Sequence, residues 1–206
     1  MSTSIEYKGH IIKIETDDCP PNPRTEFDNC CKMVCFHKDY KLGDEKDYNR
    51  SDYNSWDELK KDIVKQENAV IILPLYLYDH SGITISTTPF SCRWDSGQVG
   101  FVYMTRESIK KDFGIKRLTK KALTKIQEII KSEVKVYDDY LTGNVYGYQI
   151  YLKDNDNVID SCSGYFGYEP DESKWDVLKN AKAIVDSIVA NNPQPAKFAI
   201  AIPEKI

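Results

Sequence analysis

The stretch Ala69-Val-Ile-Ile-Leu-Pro-Leu-Tyr-Leu-Tyr-Asp-His-Ser-Gly82 sets the fold class of this chain. Residues 69–78 are almost all apolar or aromatic, which predicts a long strand, and residues 79–82 have the composition of a turn. Pro74 has no backbone donor, so it predicts a bulge or an edge position within the strand. The turn would carry an aspartate and a histidine at the end of a sheet.

Other strand patterns lie on both sides of this stretch, and helix patterns separate them. Residues 6–15 and 145–162 are predicted to form hairpins, and residues 197–202 a last short strand. Helix starts are predicted at Asn54 or Ser55, at Thr105, at Thr119, and at Glu172 or Ser173. Hairpins with helices between them predict an α+β fold, with a mainly antiparallel sheet and about four helices packed on it. We expect one globular domain over residues 1–206.

Composition and cysteine usage point to a protein of a reducing cytosol. Apolar residues make up 41% of the 206 residues and charged residues 29%, as in ordinary globular proteins. The six cysteines are irregularly spaced, and the vicinal pair Cys30-Cys31 would be strained as a disulfide. The N-terminus has no export signal, and no apolar run is long enough to cross a bilayer. We therefore expect free thiols and no membrane contact.

Acidic and imidazole side chains recur where strands are predicted to end. The strand over residues 32–37 places Cys35 and His37 on one face. Carboxylates and imidazoles at strand ends can converge on a divalent metal ion, which would be zinc or calcium/magnesium. The predicted metal site comprises Asp28, His37, Asp79, His80 and Asp95.

Other interpretations of the same residues stay open. Asp28, Asp79 and Asp95 also lie in good turn sequences, where a carboxylate simply accepts a backbone hydrogen bond. A second zinc set would use Cys30 or Cys31 with Cys35, His37 and Cys19, although its spacing is not that of a standard zinc knuckle. Buried thiols without a metal are the favoured explanation for those cysteines. Cys162 could be a nucleophile beside a histidine, or a small residue that ends a strand.

The charge of the chain is divided between two segments. Residues 105–135 contain ten basic and four acidic residues, a local charge of +6, and residues 136–180 have a local charge of −6. These segments are either solvated helix faces or surfaces that steer partners. The predicted partner-binding residues are Lys116, Arg117, Lys120 and Lys121. Direct nucleic-acid binding is not expected, because the segment lacks interleaved exposed aromatics and any DNA-binding motif.

Several motifs together resemble a known group of proteins. They are Glu26-Phe-Asp-Asn29, Met33-Val-Cys-Phe-His37, Tyr40-Lys-Leu-Gly-Asp44, Leu73 to Gly82, Trp94-Asp-Ser-Gly-Gln-Val-Gly100, Val136-Tyr-Asp-Asp-Tyr-Leu-Thr-Gly143 and Asp160-Ser-Cys162. These stretches resemble a family of small proteins carried by phages and prophages of Gram-positive bacteria, which has no general assigned activity. The family pattern tends to have Leu-Gly where this chain has Cys30-Cys31. The resemblance implies a phage origin, and therefore a host-defence inhibitor such as an anti-CRISPR protein.

Two functional classes follow from these observations. The first is a stoichiometric inhibitor that binds a host defence protein, such as a CRISPR nuclease, with any metal serving the structure. The second is a metal-dependent hydrolase that uses the predicted metal site. The sequence contains no nucleophile elbow, nucleotide loop or closed metal motif, which favours binding over catalysis.

Overall fold

The chain folds into antiparallel strands and helices, as the sequence predicts. The computed structural model describes residues 2–44, 48–115, 117–153 and 155–191. Over these residues the fold is α+β, with eight strands in two sheets and five α-helices. The sequence suggests one sheet, whereas the structure has two. The predicted strand over residues 197–202 lies outside the described residues.

The strands are β1 Ser2–Tyr7, β2 His10–Thr16, β3 Lys32–Cys35, β4 Ala69–Asp79, β5 Ile83–Ser86, β6 Ser96–Thr105, β7 Val145–Leu152 and β8 Val158–Phe166. The α-helices are α1 Pro23–Glu26, α2 Trp56–Gln66, α3 Arg106–Phe113, α4 Lys120–Leu141 and α5 Asp176–Asn191. A 3₁₀-helix covers Arg50–Asp52. No helix in these described stretches is both long and apolar enough to cross a membrane.

The structure divides into two compact units, residues 1–17 with 146–206 and residues 18–145. The first unit contains a sheet with the strand order β1-β2-β7-β8, which we call the first sheet. Its core side chains alternate along β2 and β7 and pack against α5, as the two-residue period of a strand requires. The expectation of one domain stays a prediction.

The second unit contains the second sheet, with the strand order β3-β6-β4-β5. One face packs against α3 and α4, through Met33 and Cys35 of β3 among others. The other face packs against α2, through Val34 of β3 with Leu59 and Ile63 of the helix. Successive side chains of β3 thus enter the hydrophobic cores on opposite faces of the sheet, and β3 and β6 lie between helices.

Local sequence signals explain most element ends. Ser55, Thr105 and Thr119 are N-caps, and each side chain accepts a hydrogen bond from a backbone N–H of the first helical turn. The register of β4 against β6 shifts between Leu75 and Tyr76, directly after Pro74. The predicted bulge corresponds to this irregularity, whereas β4 itself is an inner strand between β6 and β5.

Candidate functional site at one end of the second sheet

The loops that follow β3 and β4 meet the loop that precedes β6 at one end of the second sheet. The N–H of Phe36 donates to the carbonyl of Val99 across 2.7 Å, and the N–H of Asp79 donates to the carbonyl of Asp95 across 2.8 Å. These bonds extend the sheet by one residue beyond the regular strands. We define the His–Asp cluster as His37, Asp79, His80 and Asp95.

His37 contacts Asp79 and is fixed by its own loop. Its Nε2 lies 4.0 Å from Asp79 Oδ2, and its Nδ1 accepts a hydrogen bond from the N–H of Asp39 at 3.2 Å. The ring of Tyr40 stacks on the imidazole with 4.8 Å between centroids, and its hydroxyl donates to Asp79 Oδ1 at 3.4 Å. The negative charge of Asp79 raises the pKa of Tyr40. His37 is therefore held on both sides.

His80 forms the second pair. Its Nδ1 lies 3.5 Å from Asp95 Oδ2, which also accepts from the Cys92 thiol at 3.5 Å. The turn that positions His80 includes Ser81 at φ 58° and closes with a hydrogen bond from the His80 N–H to the carbonyl of Gly82. The His80 side chain is 64% exposed, whereas that of His37 is 16% exposed. The two pairs therefore differ in access to solvent.

The hydrogen bond at Nδ1 limits what His37 can do. Because that nitrogen accepts from the Asp39 N–H, the proton of the neutral ring lies on Nε2, the nitrogen nearer Asp79. A metal-bound histidine normally donates from its second nitrogen, and a general base needs a free lone pair. This arrangement suits a hydrogen-bond donor better than a metal ligand or a base.

The structure brings four of the five predicted site residues to one end of the sheet and places Asp28 elsewhere. Asp28 lines a cleft of about 670 Å³ together with Cys30, Tyr103 and Thr105. Thr105 is the last residue of β6, so the cleft lies at the end opposite the His–Asp cluster. Asp28 precedes β3 and His37 follows it, and a strand carries its two flanks to opposite sheet ends.

A metal ion is not supported by the geometry. Across the described residues, no group of three or more His, Cys, Asp or Glu side chains is arranged to hold a metal ion. The His–Asp cluster therefore consists of two pairs rather than one coordination sphere, and the predicted metal stays a prediction.

A buried charge network, which the sequence did not suggest, holds the loop before β3. The Arg24 side chain is 1% exposed, and it donates to both carboxylate oxygens of Asp44 at 2.7 and 2.8 Å. It also donates to Glu133 of α4 at 3.3 Å and to the carbonyl of Cys31 at 2.8 Å. Asp44 in turn accepts from the N–H of Met33. The guanidinium thus ties the loop and β3 to the long helix.

Glu133 also explains the vicinal cysteines. Its carboxylate accepts from the N–H of Cys30 at 2.8 Å and from the Cys31 thiol at 2.7 Å. Burial, with the nearby negative charge of Glu133, raises the pKa of Cys31, and it raises the pKa of Cys30 to about 11. Zinc needs thiolates, so this environment opposes the alternative zinc set. The six cysteines, all of which lie in the described residues, form no disulfide bond.

Three of the four predicted partner-binding residues lie on a basic surface where α3 ends and α4 begins. We call it the basic surface, and its exposed members are Lys110, Lys111, Arg117, Lys120, Lys121 and Lys125. None of these six forms an ion pair with another described residue. Further along α4, Lys131 pairs with Glu128, and Lys135 pairs with Asp138 and Asp139. Lys116 lies outside the described residues.

Comparison with known proteins gives no significant match to a protein-family model, to a curated protein or to a solved structure.

Proposed function

We propose that this protein is a phage-encoded inhibitor of host defence that acts in the bacterial cytosol by stoichiometric binding to a defence protein such as a CRISPR nuclease. The basic surface is the observation that carries the proposal. It would dock on an acidic surface of the target, where complementary charge speeds association and selects the partner. The resemblance to phage proteins supports the choice of target.

The basic surface suggests a binding role because part of its positive charge lies at a helix N-terminus, where it lowers stability. Lys120 and Lys121 are the first two residues of α4, whose first turn contains no acidic residue. A helix N-terminus carries a partial positive charge, so each lysine there costs about 0.3–1 kcal/mol of stability. These lysines destabilise the helix and have no ion-pair partner in the described chain to compensate. Residues of this kind are expected at sites where binding to another molecule requires them.

The test is a titration of DNA cleavage by a CRISPR nuclease against this protein. We expect inhibition to be complete near a 1:1 ratio and to weaken as salt increases. The double variant Lys120→Glu/Lys121→Glu should need at least about tenfold more protein, a loss of about 1.4 kcal/mol of binding free energy. The acidic replacements favour the helix N-terminus, so weaker inhibition cannot be attributed to an unfolded α4.

The matched control is Lys61→Glu/Lys65→Glu on α2, which changes net charge equally at two exposed positions. It should inhibit like the unaltered protein. If both double variants weakened inhibition equally, the effect would come from net charge. The basic surface would then not be the binding site. If no CRISPR nuclease responds at any dose, the inhibitor function loses its basis.

A metal-dependent hydrolase is the second candidate, and the convergence of two His–Asp pairs favours it. Such an enzyme would inactivate its target at a small fraction of equimolar protein. Its activity would disappear in His37→Ala and would require a divalent ion, which elemental analysis of purified protein would detect. The hydrogen bond from Asp39 to His37 is the feature that argues against it.

A further inference from the structure

A pocket with a cationic lining lies where the chain leaves β3. It has a volume of about 490 Å³, and its described lining is formed by Phe36, His37, Lys38, Tyr48, Asn49 and Arg50. Three of these six side chains are aromatic or imidazole rings, two are cations, one is an amide, and none is acidic. Ligand pockets usually have volumes of about 300–1,000 Å³ and combine apolar walls with a few polar groups. The lining therefore fits a small anion that also carries a planar ring.

Arg50 is held in a fixed position by its neighbours. Its Cζ atom lies 4.5 Å from the ring centroid of Trp56, the first residue of α2, and its Nη1 donates to the carbonyl of Tyr53 at 2.6 Å. Trp56 in turn packs edge-on against Phe101 of β6, with 6.0 Å between the ring centroids. A guanidinium that is already fixed loses little conformational entropy when it binds a ligand.

Most donors of Arg50 have no partner in the part of the chain that the structure describes. A guanidinium has five N–H donors, and the bond to Tyr53 is the only hydrogen bond that this one forms there. It also forms no ion pair with a described residue. Arg24, by contrast, donates to two carboxylates and a carbonyl. A fixed guanidinium with open donors is suited to paired hydrogen bonds with the oxygens of a phosphate or a carboxylate.

We propose that this pocket binds a nucleoside monophosphate, with the phosphate on Arg50 and Lys38 and the base on the rings of Phe36 and Tyr48. A phosphate monoester has a charge of about −1.5 to −2 at pH 7, which the two cations match, whereas a carboxylate would leave one cation unmatched. Lys38 lies 3.5 Å from Asp39, but both side chains of this pair are well exposed. Exposed pairs are weak, so Lys38 can exchange this contact for a phosphate.

The other lining residues suit the base. Aromatic side chains form stacking platforms for nucleobases, and Phe36 is itself supported by Trp56, with 6.2 Å between the ring centroids. Asn49 accepts from the N–H of Ser51 through Oδ1, so its Nδ2 donors can contact a base edge. The inference does not rest on the proposed inhibitor function, because none of the lining residues belongs to the basic surface.

The first experiment titrates the full chain with adenosine monophosphate, followed by calorimetry and by the NMR signals of arginine Nε–H groups. We expect a dissociation constant below about 1 mM and a shift of the Arg50 signal. Arg50→Lys keeps the positive charge but removes the paired donors, so it should weaken binding at least about tenfold. Arg106→Lys, at an exposed position of α3, is the matched control and should bind like the unaltered protein. A dissociation constant above about 1 mM, or unchanged binding by Arg50→Lys, overturns the proposal.

Lys38→Gln keeps the test decisive if Arg50→Lys does not fold. The Lys38 side chain is 85% exposed, so its replacement should leave the circular dichroism spectrum unchanged. We expect it to weaken binding of adenosine monophosphate by about two- to fivefold, the effect of an exposed charge. A folded Lys38→Gln protein that binds like the unaltered protein would remove the phosphate from this pocket.

The second experiment compares adenosine monophosphate with its parts. Inorganic phosphate should bind at least about fivefold more weakly, because it lacks the stacked base, and adenosine should not shift the Arg50 signal. Inorganic phosphate that binds as tightly as the nucleotide would overturn the role of the rings, and adenosine that does so would overturn the role of Arg50. A deoxyadenosine octamer without terminal phosphates should bind no more tightly than the nucleotide. Tighter binding that is lost in Arg50→Lys would assign the pocket to single-stranded nucleic acid and overturn the proposed ligand.

Discussion

Arg24 is the residue on which the loop before β3 depends. Replacement by methionine would keep much of its volume but leave the carboxylates of Asp44 and Glu133, whose side chains are 24% and 18% exposed, without their counter-ion. Removing one partner of a buried ion pair costs about 3–5 kcal/mol. We therefore expect Arg24→Met to lower the free energy of unfolding by this amount in urea titrations.

The matched control for Arg24 is Lys131→Met. Lys131 pairs with Glu128 on the surface of α4, where both side chains are well exposed. Exposed pairs contribute about 0–1 kcal/mol, so this variant should unfold at nearly the same urea concentration as the unaltered protein. Similar losses in both variants would show that the network around Arg24 is not a buried ion pair in solution.

The Cys31 thiol predicts that the free energy of unfolding falls at alkaline pH. Burial raises its pKa in the folded state above the ordinary value near 9.0 that applies after unfolding. Above about pH 9 the unfolded chain therefore releases a proton that the folded chain retains, and stability falls by about 1.4 kcal/mol per pH unit for one such group. The contribution of the protonated Cys31 thiol to stability is complete below about pH 9 and is lost as the pH rises further.

The variant Cys31→Ser checks this prediction. A serine hydroxyl can still donate to Glu133, but it does not ionise in this range. Urea titrations between pH 7 and 10 should show a shallower decline for the variant, with equal slopes for both proteins below about pH 8. Parallel declines above pH 9 would mean that Cys31 does not ionise on unfolding in this range.

The residue pairs show which parts of the site the sequence could predict. Alternation along β3 and the turn after β4 were sufficient to expect His37 near Asp79. Asp28 also neighbours a predicted strand, but it precedes β3 whereas His37 follows it, so the strand separates the two side chains. Arg24 and Glu133 are 109 positions apart, and no local pattern links a proline-flanked arginine to a glutamate on a lysine-rich helix.

At the scale of elements, β6 depends on a close approach at Gly100. This glycine pairs with Cys35 of β3 and Leu75 of β4, and an added Cβ would lie 1.9 Å from the carbonyl oxygen of Val34. Backbone atoms of β3 must move to accept it. We expect Gly100→Ala to lower the free energy of unfolding by about 3 kcal/mol or more.

Gly97, on the same strand, is the matched control. A Cβ there meets no atom within 4 Å, so Gly97→Ala should change stability by no more than about 0.5 kcal/mol. Thermal unfolding of both variants, followed by circular dichroism, distinguishes the two sites. A tolerated Gly100→Ala would indicate that β3 does not approach β6 as closely as the structure shows.

Elements with a capping residue were predictable, and the pairing of strands was less so. The starts of α2, α3 and α4 follow from Ser55, Thr105 and Thr119, because a side chain oxygen there replaces a missing backbone partner. The final helix begins at Asp176, a few residues later than expected. Two sheets rather than one could not be inferred, because β2 pairs with β7 across most of the chain, and periodicity does not specify distant partners.

At the scale of the whole molecule, the second unit is one continuous segment inserted between two parts of the first. Residues 18–145 contain a complete four-stranded sheet with helices on both faces, and the Arg24 network lies wholly within them. The first unit instead combines residues 1–17 with residues after 145, so β2 finds its partner β7 only late in the chain.

The continuous unit should therefore fold without the rest of the chain. Its hydrophobic core covers both faces of its sheet, and its length of about 130 residues is typical of an independent domain. We expect a fragment of residues 18–145 to give dispersed amide NMR signals and a cooperative thermal transition, and we expect Arg24→Met to destabilise the fragment as it does the full chain. An unfolded fragment, together with a single transition in the full protein, would instead support one cooperative domain over residues 1–206.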